Sequence, residues 1–258
     1  MDWYLYPLVV AAGFAAGFVN TLAGSGSLIT LPLLIFADLP ATVANGTNRI
    51  AVLLQTVVAV WRFRQSGALD VRRGLRLTVP AILGSIAGAR IAVDLDERFL
   101  ERTIGALMVV MLAVVLVRPA RWLSGRPEML ARRPGWPQLG LLFLIGVYGG
   151  FIQAGVGVFL LAGLVLGAGY ELVRANAVKN LIVMALTLFA LGVFVAHGQV
   201  EWLPGLVLAA GNMMGAYVAA HVAVGKGAAF VRWILVAVII VSAAVLLGLP
   251  DLLRAPVR

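Results

Sequence analysis

Residues 23–49 read AGSGSLITLPLLIFADLPATVANGTNR and hold two features that a lipid bilayer disfavours. The stretch Gly24–Ser27 interrupts a long apolar segment, and Arg49 lies near the start of the next one. Irregular backbone and intramembrane arginine are tolerated in lipid only where the protein satisfies their polar groups. This stretch therefore predicts a broken helix beside a buried polar site.

The composition places the chain among membrane proteins. Of its 258 residues, 62% are hydrophobic and 12% are charged, and the mean hydropathy is +1.02. Soluble domains average about 45–50% apolar and about 25% charged residues. The net charge of +9 comes mainly from short loops between apolar segments, which is explained by membrane topology and does not call for nucleic acid. The chain has no cysteine, which excludes disulfides and thiol chemistry.

The second half of the sequence repeats the first at a constant displacement and without a gap. Residues Ala23, Gly24 and Gly26 match Ala154, Gly155 and Gly157, and Ala44-Asn45 matches Ala175-Asn176. An internal duplication of this kind determines the architecture of the fold. We predict a first membrane repeat at 1–118, a basic linker at 119–137 and a second membrane repeat at 138–258.

The apolar segments predict an all-α polytopic fold. Segments 5–37 and 138–170 carry no charge, and a straight helix of that length would measure about 50 Å. Because the hydrocarbon core is about 30 Å thick, each segment must tilt, break or turn back at its glycines. Three transmembrane helices follow in each half, at 42–61, 75–93, 99–117, 172–195, 203–223 and 229–248.

The distribution of basic residues favours one of two topologies. Arginine and lysine concentrate more strongly on one side if each long segment returns to the side from which it started. The halves would then be inverted repeats, each with a broken or re-entrant glycine-containing segment, a common plan in secondary transporters. This topology puts the linker 119–137 in the cytoplasm and both termini outside.

Arg49 is the strongest single candidate for a binding residue. A guanidinium is always charged and its donors suit an oxyanion, so Arg49 is interpreted as an anion ligand. A snorkelling side chain or a structural pair with Asp38 is the alternative. Lys179 lies at the corresponding depth of the second half, which favours the functional interpretation.

Asparagines accompany both cations. Asn45 and Asn48 share a helical face with Arg49, and Asn176 and Asn180 flank Lys179 in the same way. They could cap the helix or join helices to each other. The glycine tips could likewise serve only close packing, or could present helix N-termini to an anion.

Several functions lack support in the sequence. There is no phosphate-binding loop, no carboxylate in the middle of an apolar helix, and no spacing that suggests a catalytic triad. We expect no enzyme activity, no cofactor and no metal.

The chain resembles the TauE/SafE-type sulfite exporter family over nearly its whole length. The resemblance is strongest in Gly17–Ser27 with Pro40–Arg49, and continues in Gly149–Gly157 with Arg174–Lys179. Position 25 is serine where glycine is common in the family, and position 156 is valine. The resemblance implies export of sulfite or small organosulfonate anions such as sulfoacetate across the bacterial inner membrane.

These observations together predict a transporter that works by alternating access at a positively charged site between the repeats. The predicted substrate-binding residues are Gly24, Ser25, Gly26, Ser27, Asn45, Thr47, Asn48, Arg49, Gln153, Gly155, Gly157, Asn176, Lys179 and Asn180. The expected partners are the anion and the lipid bilayer, and the small-residue face Gly84–Gly88 permits a homodimer. Alternatives are an anion channel, a permease for thiosulfate or sulfate, a membrane scaffold or sensor, and, more weakly, a metal-cation carrier.

Overall fold

The computed structural model describes residues 6–100, 102–104, 106, 110 and 135–246, with side chains described up to 226. All regular structure in these residues is helical. The helices are α1 (Tyr6–Ala23), α2 (Ser27–Phe36), α3 (Ala41–Gln65), α4 (Val71–Val93), α5 (Trp136–Phe151), α6 (Val156–Ala162), α7 (Leu172–Ala196) and α8 (Trp202–Leu246). A π-helical turn, Gly163–Gly167, extends α6.

Five of the described helices are long and apolar enough to cross a membrane. They are α1, α3, α4, α7 and the portion Trp202–Lys226 of α8. The shorter apolar helices α2, α5 and α6 lie beside them in sequence. The prediction of a helical, multi-pass membrane protein is thus confirmed.

Each long apolar segment consists of two helices separated by a short break. In the first segment α1 ends at Ala23 and α2 begins at Ser27, while in the second α5 ends at Phe151 and α6 begins at Val156. Both breaks contain a glycine with positive φ, a conformation that other residues rarely adopt. The chain therefore depends on glycine to leave one helix and enter the next.

The backbone repeats with the same displacement as the sequence. Helix α3 spans residues 41–65 and α7 spans 172–196, so both ends of α7 fall on the positions that the sequence repeat assigns to the ends of α3. The start of α8 corresponds in the same way to the start of α4. Left-handed backbone positions also recur in register, in the pairs Gly24 with Gly155, Asp38 with Gly169, and Gly67 with Gly198.

The two halves are interleaved through glycine contacts between helices. Helix α1 packs against α8, and α4 packs against α5, so the first helix of each half lies on the fourth helix of the other. A Cβ added at Gly88 would collide with the Val147 carbonyl oxygen, and one at Gly215 with the Phe14 carbonyl oxygen. Small residues allow this backbone-to-backbone approach. The face Gly84–Gly88, on which the expectation of a homodimer rests, is covered by α5 of the same chain.

The structure corrects one predicted boundary. The sequence predicts separate helices at 203–223 and 229–248, but α8 is continuous from Trp202 to Leu246. Gly225 and Gly227 do not end the helix, because glycine weakens a helix by only about 1 kcal/mol and no proline follows there. Most of the predicted helix 99–117 and of the linker 119–137 lies outside the described residues.

We expect Gly88→Ala to lower the stability of the protein. The added methyl group meets the Val147 carbonyl in a neighbouring helix, and such overpacking costs about 1–3 kcal/mol. Gly192→Ala on α7 is the matched control, since a Cβ there has no atom within 4 Å. Thermal unfolding in detergent should show a lower Tm for Gly88→Ala alone, and equal values for both variants would contradict the packing described above.

Candidate functional site

Polar residues of α3 and α7 are buried among apolar neighbours. The side chains of Asn45, Asn48 and Arg49 on α3 have no exposed surface, and those of Lys179 and Asn180 on α7 are 1% exposed. Spacings of three and four residues put them on one face of each helix. Both helices therefore direct amides and a cation into the protein.

Arg49 binds the carbonyl end of α5. Its Nη1 donates to the Gly149 oxygen at 3.1 Å, and its Nη2 donates to the Gly150 oxygen at 2.6 Å. Asn45 Nδ2 donates to the next carbonyl, that of Phe151, at 2.8 Å. The guanidinium also lies over the Phe194 ring of α7, 4.6 Å from its centre. An arginine of the first half thus caps the last turn of a helix in the second.

Lys179 of the second half makes the corresponding contact with a helix of the first half. Its Nζ donates to the Asn20 oxygen at 2.9 Å, the Thr21 oxygen at 2.7 Å and Asn176 Oδ1 at 3.0 Å. Asn180 Nδ2 lies 3.3 Å from the Thr21 oxygen. Asn20 and Thr21 belong to the last turn of α1, so a lysine of the second half caps a helix of the first.

These contacts follow from the electrostatics of a helix that ends inside the protein. The last carbonyl groups of a helix have no intrahelical donor and carry a partial negative charge. Water is absent from a hydrocarbon environment, so another part of the protein must supply the donors. The buried cations of α3 and α7 supply them.

A hydrogen-bonded chain also holds the start of α2. Asn48 Nδ2 donates to Ser27 Oγ at 3.1 Å, and the Thr30 hydroxyl donates to Asn48 Oδ1 at 2.6 Å. The Gly26 N–H lies 3.4 Å from Asn20 Oδ1. The predicted residues Gly26, Ser27 and Asn48 are thus brought together.

The two glycine tips touch. A Cβ added at Gly24 would collide with the backbone of Gly157, and the reverse also holds. Gly155 precedes α6 with a left-handed φ of 74°. Gln153 donates to the Thr187 hydroxyl, which connects the second tip to α7. Ser25 is 6% exposed within the first tip.

Thr47 is the predicted residue that lies apart from the tips. Its hydroxyl accepts from the Glu201 N–H at 2.9 Å, next to the start of α8. Several residues that partner the predicted ones were not predicted from the sequence, among them Asn20, Thr21, Thr30 and Thr187. Polar side chains within an otherwise apolar segment are the signal that could have identified Asn20 and Thr21.

The site is positively charged and rich in donors. Among the described residues no aspartate or glutamate is buried, whereas Arg49 and Lys179 are. Within the described part of this site, the buried donors Arg49 Nε, Asn176 Nδ2 and Thr21 Oγ1 have no hydrogen-bond partner. In the part of the chain that the structure describes, no cluster of three histidine, aspartate or glutamate side chains is placed to hold a metal.

Comparison with known protein families gives a match over nearly the whole chain. The profile of the family "Sulfite exporter TauE/SafE" matches residues 9–246, which include every predicted site residue.

Curated relatives match over most of their own lengths. A "Probable membrane transporter protein ORF9" from Sinorhizobium sp is 29% identical over 251 residues, covering 97% of this chain and 95% of the relative. A "Probable membrane transporter protein" from Haemophilus influenzae is 26% identical over 230 residues, with 88% and 89% covered. The "Probable membrane transporter protein YfcA" of Escherichia coli K12 is 26% identical over 234 residues, with 90% and 86% covered. No solved structure matches the chain significantly.

We expect Asn48→Leu to destabilise the protein, because it leaves the buried Ser27 and Thr30 hydroxyls without their amide partner. Loss of such a partner costs about 1–3 kcal/mol per stranded group. Gln55→Leu on the same helix is the control, since Gln55 is buried and neither of its amide atoms has a partner. Thermal unfolding should show a lower Tm for Asn48→Leu and an unchanged or higher Tm for Gln55→Leu. An equal loss in both variants would contradict the hydrogen-bonded chain.

Proposed function

The chain belongs to the TauE/SafE sulfite exporter family, a family of membrane transporters, and we propose that it exports sulfite or a small organosulfonate anion. Export follows the family description, and the bacterial inner membrane is the location that the sequence resemblance implies. The substrate passes by alternating access through a site between the two repeats, formed by the glycine tips and the polar faces of α3 and α7.

One observation carries this proposal: Arg49 and Lys179 are buried, and no acidic side chain is buried with them among the described residues. A buried charge is costly unless it is paired, and carbonyl dipoles balance only part of a full charge. A bound anion between the halves neutralises the remaining positive charge, whereas a cationic substrate adds to that charge.

Donors without acceptors support the same location. Arg49 Nε and Asn176 Nδ2 are buried and unpartnered. Unpaired buried donors are rare in native proteins, and a bound ion is one of the explanations for those that occur. A sulfite or sulfonate group offers oxygen acceptors to donors of this kind, and hydrogen bonds to a charged acceptor are roughly twice as strong as neutral ones.

Contacts between the halves support inverted repeats. Arg49, near the start of α3, lies over Phe194, near the end of α7, so the two helices cross in opposite directions. A Cβ at Gly74 would meet the Leu181 side chain, and one at Gly205 would meet Ile50. Gly205 and Ile50 are the repeat counterparts of Gly74 and Leu181, so the two contacts are equivalent. Inverted repeats that meet at a central site suit alternating access.

Packing at the first tip supports a re-entrant segment. Gly26 lies against the Ala16 carbonyl, so the chain turns back along α1 as α2 begins. In this topology the basic loop between α3 and α4 and the linker 119–137 face the cytoplasm, and the N-terminus lies outside. A C-terminus outside would require the separate helices 203–223 and 229–248, whereas α8 is one continuous helix. An inside-negative potential then favours anion efflux by about 2.3 kcal/mol per charge per 100 mV.

We expect Arg49→Gln to reduce sulfite efflux from proteoliposomes by about tenfold or more, since a hydrogen bond to a charged group contributes about 1.5–3 kcal/mol. Arg64→Gln, which neutralises an exposed arginine on the same helix, should retain efflux. Undiminished efflux by a folded Arg49→Gln protein would contradict the site.

We expect sulfite or sulfoacetate to raise the Tm of the purified protein, because a ligand that binds only the folded state stabilises it. Thiosulfate and sulfate should be tested beside them to rank the oxyanions. If no oxyanion shifts the Tm and labelled sulfite does not cross the membrane, the proposed function is wrong.

A further inference from the structure

The two buried cations occupy a position that inorganic cations fill in many transporters. Broken transmembrane helices commonly direct their C-terminal carbonyls at a coupling ion such as Na⁺. Here the last turn of α1 directs the Asn20 and Thr21 carbonyls at Lys179 Nζ, and the last turn of α5 directs the Gly149 and Gly150 carbonyls at Arg49. Each helix end is therefore already neutralised by a side chain from the other half.

We propose that the Lys179 ammonium and the Arg49 guanidinium are tethered replacements for coupling cations, so that this protein moves its anion without an inorganic cation as co-substrate. The inference rests on the proposed function for its transport part. Its structural part is that two cation sites of different shape are each occupied by a side chain from the opposite half. That part rests on the observed contacts alone.

The coordination of Lys179 is complete. An ammonium has three N–H donors, and Lys179 has three oxygen acceptors at 2.7, 2.9 and 3.0 Å. With all donors used and the side chain 1% exposed, the ammonium holds α1 in this conformation and has no donor left for an anion. Lys179 is therefore a positioning residue that contributes its charge and not a hydrogen bond to the substrate.

Arg49 fills its site with a different geometry. Its two terminal nitrogens contact successive carbonyls of α5 as a planar fork, and its Nε remains without a partner. The oxygens at the end of α1 thus fit a compact ammonium, and those at the end of α5 fit a planar guanidinium. Because Nε is free, Arg49 is the cation that can also donate to the anion.

A further inorganic cation would need oxygen ligands other than those that Lys179 and Arg49 occupy. Hard cations bind several oxygen ligands, which are carboxylates and carbonyls in divalent sites and backbone carbonyls at broken helices in many transporters. Among the described residues no carboxylate is buried, and the two side chains engage four carbonyls at the helix ends, those of Asn20, Thr21, Gly149 and Gly150. An added cation would face two positive charges in a low-dielectric environment.

The test replaces each tethered cation with a free one of the same shape. Lys179→Ala should lower the Tm by roughly 5–10 °C, and about 20 mM methylammonium should restore much of that loss by binding the vacated oxygens. Guanidinium at the same concentration should restore Arg49→Ala and not Lys179→Ala. Choline, which is too large for either site, and Asn48→Leu, whose defect lies at the start of α2, are the controls.

A wild-type measurement decides the question even if an alanine variant fails to fold. Replacing Na⁺ with choline should change neither the Tm nor anion efflux. A Na⁺-dependent Tm or efflux would overturn the inference, and so would rescue without selectivity or no rescue in folded variants. If shape-selective rescue occurs and no anion moves, the proposed function alone is wrong.

Discussion

The capping of helix ends by cations from the opposite half is the interaction on which the rest of this structure depends. Helices α1 and α5 end inside the protein, where their last carbonyls would otherwise be unsatisfied in a medium without water. Lys179 and Arg49 satisfy them across the boundary between the halves. Because each cation reaches a helix that its own half does not contain, neither half is electrostatically complete alone. A strongly polar cluster is buried within an apolar chain because each half supplies the cation that a helix end of the other half needs.

Close packing is the second condition, and glycine provides it. A lysine or arginine side chain reaches a helix end in another half only if the helices approach closely, and the contacts α1–α8 and α4–α5 are backbone-to-backbone at glycines. The tips Gly24 and Gly157 meet in the same way. Away from these contacts, large apolar side chains such as Leu83 and Leu144 are exposed on the outer faces of the helices.

The sequence predicts the membrane class, the duplication and the breaks, because hydrophobic length, periodicity and glycine carry these signals directly. It also identifies Arg49 and Lys179 as buried polar residues, since charge in an apolar helix needs a purpose. It does not reveal their partners, because Gly149, Gly150, Asn20 and Thr21 contribute carbonyl groups that every residue possesses. The continuity of α8 could not be predicted for a related reason: a glycine-rich polar interval is compatible with either a loop or a helix.

The interleaving of the halves has a consequence for biogenesis. The Thr21 carbonyl and the Lys179 ammonium are separated by 158 residues of chain. At about 5–20 residues per second, translation takes roughly 8–30 s to supply the lysine after the threonine has left the ribosome. During that interval the end of α1 has neither its cation nor its packing partner α8. The end of α1 therefore reaches its final contacts only after α7 and α8 have been synthesised.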